Sequence, residues 1–438
     1  MTTLAIIALI IIAWSAFSRP LDRRGITSAL VFTAAGFVVG AYVLGLIHVS
    51  LESAVAERFT EVTLVLLLFS DAARLDFRAL RHQLGWPSRL LLIGLPLTML
   101  AGFGAGVLAF PGMALASVFL LSTMLCSTDA ALGQRVVTDT SVPARVRQAL
   151  DVESGLNDGL AVPFFLVALD LANAELTTGI TWAVVHNATD QIGWGLAAGV
   201  AAGLLGALLF RFTARRGWVG SEWRQILPLA TALLAYALAL KLGGSGFIAA
   251  FVGGMAFGRF SGEQGSGSTL FTEEAGGLLA AVTWIGFGAA AIAWAIPHVT
   301  WHVVLYAALS LTVVRMVPVA IAMLGKGVRA PTVAFIGWFG PRGLASVVFG
   351  LLVIERGVPQ GATLLVTVIV TVALSVVLHG LTSAPLVGVY HRWYESHARS
   401  HPKAEEAVAT TVPRQRRHLG TAGPGAPGTS AGESPIGR

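Results

Sequence analysis

Charge is what this sequence has least of. Of 438 residues only 12% are Asp, Glu, Lys or Arg, against about 25% in an ordinary soluble domain. That shortage excludes a soluble globular chain. The net charge of +6 does not signal nucleic acid either, because Lys and Arg of a membrane protein collect in its cytoplasmic loops. Cysteine occurs once, at Cys126, which excludes an intramolecular disulfide and a cysteine-rich metal site. No basic residue precedes the apolar stretch Met1 to Phe17, whereas Arg19, Arg23 and Arg24 follow it. A cleaved signal peptide has the opposite order, so this stretch is expected to be a retained first span.

What is abundant is apolar surface, 55% of all residues, arranged in runs of about 17 to 25 residues, each the length of a helix that crosses a bilayer. Thirteen such runs are expected, near 3–17, 26–47, 60–72, 87–109, 112–134, 149–170, 191–211, 224–241, 244–260, 275–296, 300–324, 331–354 and 361–384. The fold class is therefore all-α, a polytopic membrane protein. The third run is the shortest, bracketed by Glu61 and Asp71. Basic residues fall in alternate connections: Arg19, Arg23 and Arg24; Arg74, Arg78, Arg81 and Arg89; Arg135, Arg145 and Arg147; Arg211, Arg215, Arg216 and Arg224; Lys326 and Arg329; Arg392 and Arg399. The positive-inside rule then puts the N-terminus outside and the C-terminus in the cytoplasm, which requires an odd number of spans. After Ser396 the composition turns to Pro, Gly, Ser and Thr, too polar to bury a core, so 396–438 is expected to be a disordered cytoplasmic tail.

Against this background three acids stand out. The stretch STDAALG places Asp129, and VESGLNDG places Glu153 and Asp158, inside apolar runs. A carboxylate at membrane depth costs about 2.5 to 3.5 kcal/mol even on the milder insertion scale. Such a group by default marks an ion or proton pathway. A symmetry accompanies it. The fourth to sixth spans begin on the cytoplasmic side and the eleventh to thirteenth begin outside, so the two triplets are candidate inverted repeats. The middle member of each is interrupted, by Ser127–Thr128–Asp129 in one and Gly340–Pro341–Arg342–Gly343 in the other. Interrupted helices in corresponding positions of two halves point to a transporter's binding site.

Helical spacing in the sixth span puts Ser154 and Asp158 on one face, Glu153 and Asn157 on the next, and Gly155 and Gly159 in a small-residue groove. Hard monovalent cations want oxygen ligands, which Asp158, Ser154, Asp129 and the Thr128 region can supply. Arg342 is the only cation of the twelfth span and lies about 16 Å from that span's end. At that depth it needs a counter-charge, and Glu153 is the candidate.

The elements STD and ESGLNDG, with GPRGLAS and HGLTSAPL downstream, make residues 4 to 392 resemble the NhaP-type sodium/proton antiporters of the monovalent cation:proton antiporter superfamily. The resemblance implies a homodimer in the cell membrane. Its core transport domain would be 86–179 with 299–395, holding the crossed, unwound helices, and its dimerisation domain 1–85 with 180–298. By position it makes Asp158 the principal carboxylate for cation and proton, completed by Asp129, Ser154 and Thr128. Asn157 would hold the crossing, Glu153 would pair with Arg342, and the Asn before Asp158 resembles the electroneutral branch. The substrates implied are H⁺ with Na⁺, Li⁺ or K⁺, with no cofactor. Ala130 stands where the family commonly has proline.

Blander readings compete. Ser154 or Thr128 alone is as readily a hydrogen bond between helices. Arg342 is more simply structural, because a cation repels the substrate. His379 could sense pH but is more simply packed, and Gly243–Gly244–Ser245–Gly246 reads as a helix break, not a nucleotide loop. Trp182, Trp194, Trp218, Trp301 and Trp393 suit the membrane interface. A K⁺/H⁺ antiporter, a cation channel or a cation sensor could use the same oxygens. An intramembrane hydrolase lacks a GxGD, Ser–His or HExxH setting.

Overall fold

The computed structural model describes residues 2–47, 53–75, 85–129, 131–176, 182–262, 265, 267–400 and 405–407. With no water to satisfy a backbone inside lipid, apolar runs of this length can bond their own N–H and C=O groups only as helices or closed barrels. Helices are what forms. They are α1 (Thr2–Arg23), α2 (Ser28–Val39), α3 (Ala54–Ala73), α4 (Pro87–Ala109), α5 (Leu115–Met124), α6 (Gln134–Thr138), α7 (Ala144–Leu176) and α8 (Trp182–Arg215). The second half comprises α9 (Trp223–Lys241), α10 (Gly246–Phe260), α11 (Leu270–His298), α12 (Trp301–Met323), α13 (Ala330–Trp338), α14 (Leu344–Glu355) and α15 (Gly361–Ser400). Among the described residues eight helices are long and apolar enough to cross a membrane one by one, while α2, α5, α10 and α14 are shorter apolar helices.

Two interruptions organise the rest. Among the described residues the chain leaves helical geometry between Met124 and Gln134, and again between Trp338 and Leu344, which is where the polar and Gly–Pro residues fall. The expected break between α9 and α10 is a turn in which Gly243 takes φ +80°, a conformation open to glycine at no steric cost. Ser245 then caps α10 by accepting from the Ile248 N–H.

The helices pack as two groups. Helices α3, α8, α9, α10 and α11 contact one another, as do α4, α5, α7, α12 and α15, and α7 and α14 meet α3 along the seam. The aromatic rings of Phe165 on α7 and Phe349 on α14 stack at 4.3 Å between centroids. His379 is packed rather than open, 1% exposed, with its ring nitrogens 2.9 Å from the carbonyl oxygens of Ser375 and Trp338.

The end of the chain departs from expectation. A disordered segment was expected from residue 396, yet α15 remains helical through Ser400. Pairs one turn apart extend it, notably the stacked rings of Trp393 and His397, contacts that polar composition alone does not reveal. Glu405 pairs with Arg145, and the Glu406 carboxylate accepts from the Arg329 N–H at 2.8 Å and the Thr332 hydroxyl at 3.2 Å. The remainder, 401–404 and 408–438, lies outside the described residues.

Candidate functional site

The two breaks cross, and each supplies the charge that the other needs. A helix N-terminus carries about half a positive charge and unpaired N–H groups, a C-terminus the reverse. Asp129, from the first break, lies at the start of α14: its Oδ2 accepts from the Leu344 N–H at 3.0 Å. Its Oδ1 accepts from the Ala131 N–H at 2.7 Å and the Leu132 N–H at 3.4 Å. One carboxylate therefore caps α14 and the turn leading to α6. Arg342, from the second break, does the converse at the end of α5. Its guanidinium donates to the carbonyls of Cys126 at 2.9 Å, Ser127 at 3.1 Å and Ser310 at 3.3 Å. The backbones themselves are joined by the Asp129 N–H donating to the Pro341 carbonyl at 2.8 Å. Gly343 makes the approach possible, since a Cβ there would lie 2.0 Å from Asp129 Oδ2 and 2.1 Å from its Cβ.

This corrects the expected ion pair. Glu153 does not meet Arg342; it meets Arg315 of α12, in a two-pronged contact of 2.6 and 2.8 Å with both side chains 3% exposed. The reason is depth. Glu153 lies five residues, about 7.5 Å, before Asp158 along α7, so it faces α12 rather than the crossing. Arg342 finds its partial negative charge in the carbonyls of Cys126 and Ser127 just past α5 and of Ser310 in α12, which sequence spacing cannot display. Breaking a buried pair by removing one partner costs about 3 to 5 kcal/mol. Arg315→Gln is therefore expected to lower the unfolding midpoint sharply, and adding Glu153→Gln should restore part of the loss. Equal melting of wild type and Arg315→Gln would contradict the assignment.

Around the crossing the polar residues of α7 come together with Thr128. Asn157 Nδ2 donates to the Thr128 hydroxyl at 2.6 Å, and that hydroxyl lies 3.1 Å from the Ser154 hydroxyl. Thr128, Asn157 and Ser154 are all buried. Asn157 Oδ1 makes no hydrogen bond among the described residues. Asp158 is only partly buried; it engages the Ser127 hydroxyl and feels the charges of Asp129 and Asp71. The expected glycine groove is present and decides what covers the site. The Phe251 ring of α10 lies over Gly159, 2.2 Å from where a Cβ would sit, and the Asp71 side chain of α3 lies beside Gly155. Asp158 thus stands on the seam between the two helix groups.

Of the residues named from sequence, Thr128, Asp129, Ser154, Asn157 and Asp158 converge here, whereas Glu153 and Arg342 serve separate supports. Ala130 lies outside the described residues. Two participants escaped the sequence reading, Asp71 and Arg315. Both were ionisable residues inside or at the edge of apolar runs, the same signal that singled out Asp158, but neither sat in a recognisable motif.

The chain matches the family model described as sodium/hydrogen exchanger, transmembrane, over residues 5–389. It is 25% identical over 379 residues to the K(+)/H(+) antiporter NhaP of Alkalimonas amylolytica, covering 85% of this chain and 63% of that one. It is 30% identical over 237 residues to the Low-affinity Na(+)/H(+) antiporter NhaS1 of Synechocystis, covering 52% of this chain and 42% of the relative. The chain thus spans less than two thirds of the length of either relative. The solved structure of the sodium proton antiporter MjNhaP1 from Methanocaldococcus jannaschii at pH 8 superposes with a TM-score of 0.69 at 18% identity, covering 87% of this chain and 100% of that one. The NhaP-type resemblance carried by the four sequence elements is thereby borne out, and the chain belongs to the sodium/hydrogen exchanger family.

Proposed function

We propose that this chain is a secondary active antiporter that exchanges Na⁺ for H⁺ at Asp158 by alternating access, one for one. The observation that carries the reading is the convergence of Asp158, Ser154, Asn157, Thr128 and Asp129 where the two broken helices cross. A cation and a proton compete for one carboxylate, because a bound cation opposes protonation of its ligand and a proton removes the charge the cation needs. Asp158 is the exchanging group. Ser154, Thr128 and the free Oδ1 of Asn157 offer further oxygens, and Asp129 adds a second negative charge while its carboxylate holds the half-helices.

In this reading 86–179 and 299–395 form the moving core, and 1–85 and 180–298 form the scaffold through which two copies associate. The N-terminus faces out and the C-terminus faces the cytoplasm of the cell membrane. Asp158 on the seam would then be exposed to either side as one group slides on the other. K⁺ is the second reading, favoured by the names of two relatives, the K(+)/H(+) antiporters NhaP and NhaP2.

Proteoliposomes carrying a pH-sensitive dye, tested with Na⁺, Li⁺ and K⁺ with and without an imposed voltage, distinguish these. The expected result is Na⁺-driven proton movement that voltage leaves unchanged. A response to K⁺ alone would select the second reading, voltage dependence would reject one-for-one exchange, and conductance without countertransport would indicate a channel.

A further inference from the structure

We infer that the arginine-rich end of α8 binds the phosphate headgroup of an anionic phospholipid. A cleft of about 430 Å³ opens there, lined by Leu208, Arg211, Phe212, Arg215 and Arg216. Its two sides differ in chemistry. On one, three guanidinium groups stand within two turns of helix, and no ion pair to any of them is present among the described residues; Glu222 of the adjoining turn makes none either. Three like charges held together raise one another's energy and call for an anion. The planar fork of a guanidinium matches phosphate oxygens in pairs. Arg216 is already held in place, lying 4.2 Å from the Phe212 ring centroid and 4.9 Å from that of Trp218, so little conformational entropy remains to be lost when it binds.

The other side is apolar. Leu208 and Phe212 lead directly into Leu205 and Leu209, which are 65% and 56% exposed on a helix long and apolar enough to span. That stripe faces where acyl chains run. A free phosphate would use the arginines and leave this surface idle, whereas a phospholipid uses both. A second copy of the chain would set arginines against arginines, which like-charge repulsion disfavours. The alternating basic loops assign this end of α8 to the cytoplasmic leaflet, where anionic lipids concentrate.

The test is lipid titration of the full-length protein in detergent, read by native mass spectrometry, with phosphatidylglycerol, phosphatidylcholine and inorganic phosphate as probes. Phosphatidylglycerol is expected to bind in preference to phosphatidylcholine. The Arg215→Gln, Arg216→Gln double variant should weaken it by about thirty-fold, two arginines' worth of surface attraction. The Arg215→Lys, Arg216→Lys variant should retain most of the binding, and Lys241→Gln, at the other end of the same helix group, should leave it unchanged. Because these side chains are on the surface, the glutamine variant is expected to melt as wild type does in phosphatidylcholine. Equal binding of the two lipids, survival of the preference in the glutamine variant, or competition by inorganic phosphate as effective as lipid would overturn the proposal. So would a variant that dissociates into monomers while keeping its lipid preference, which would identify the occupant as a second copy.

Discussion

Asp158→Asn is expected to reduce cation-dependent proton movement in proteoliposomes to the level of empty vesicles, a loss of at least about a hundredfold, while the protein still inserts and melts normally. The two side chains have nearly the same shape, and the amide keeps a polar atom for the Ser127 hydroxyl that Asp158 engages. What disappears is the one property exchange needs, a group that carries either a charge or a proton. Stability should change little, because the amide fills nearly the same space as the carboxyl group it replaces. Countertransport persisting in this variant would show that the exchanging group lies elsewhere. Asp71→Asn, on the opposite side of the seam, is the natural second place to look.

Gly343→Ala tests the crossing itself. A methyl group at 343 would lie 2.0 Å from Asp129 Oδ2, 2.1 Å from its Cβ and 2.4 Å from its Cγ. A Cβ is tied to its backbone, so the clash cannot be relieved by swinging a flexible side-chain end. The two breaks must move apart, and with them the Asp129 cap on α14 and the Thr128 hydroxyl that Asn157 and Ser154 share. Overpacking of this kind costs about 1 to 3 kcal/mol, a modest lowering of the melting midpoint. The effect on exchange is expected to be larger than that on stability, because a ligand oxygen displaced by about 1 Å can cost a hundredfold in a positioned site. Gly104→Ala is the control, since nothing lies within 4 Å of a Cβ there. Wild-type exchange in Gly343→Ala would mean that the crossing tolerates separation and that the site is not built on it.

Much of this architecture is legible without coordinates because lipid is a strict solvent. A carboxylate or a Gly–Pro–Arg–Gly run inside an apolar stretch is so costly that its presence announces a function, and both breaks and the polar face of α7 were found on that ground. Partner choice was not legible in the same way. Glu153 and Arg342 were each read as charges needing a counter-charge, and pairing them was the simplest solution within the known motifs. The molecule instead gives Glu153 to Arg315 and gives Arg342 to three carbonyls. A backbone carbonyl carries only partial charge and exists at every residue, so no residue letter marks it. The helical extension to Ser400 and the docking of Glu406 at the start of α13 were hidden for a related reason. Polar composition reports that a segment cannot form its own core, not whether a neighbouring helix end will accept it.

The sequence by itself determined that this chain lives in a membrane, that its helices are broken in two related places, and that acidic residues stand beside those breaks at membrane depth. These follow from transfer free energies and helical periodicity, which act residue by residue along the chain. Only the tertiary structure decided that Asp129 and Arg342 exchange helix ends, that Arg315 is the cation answering Glu153, and that Asp71 approaches the site from across the seam. Those pairings depend on how deep each side chain sits and on which helix faces it, quantities set by packing among segments far apart in sequence.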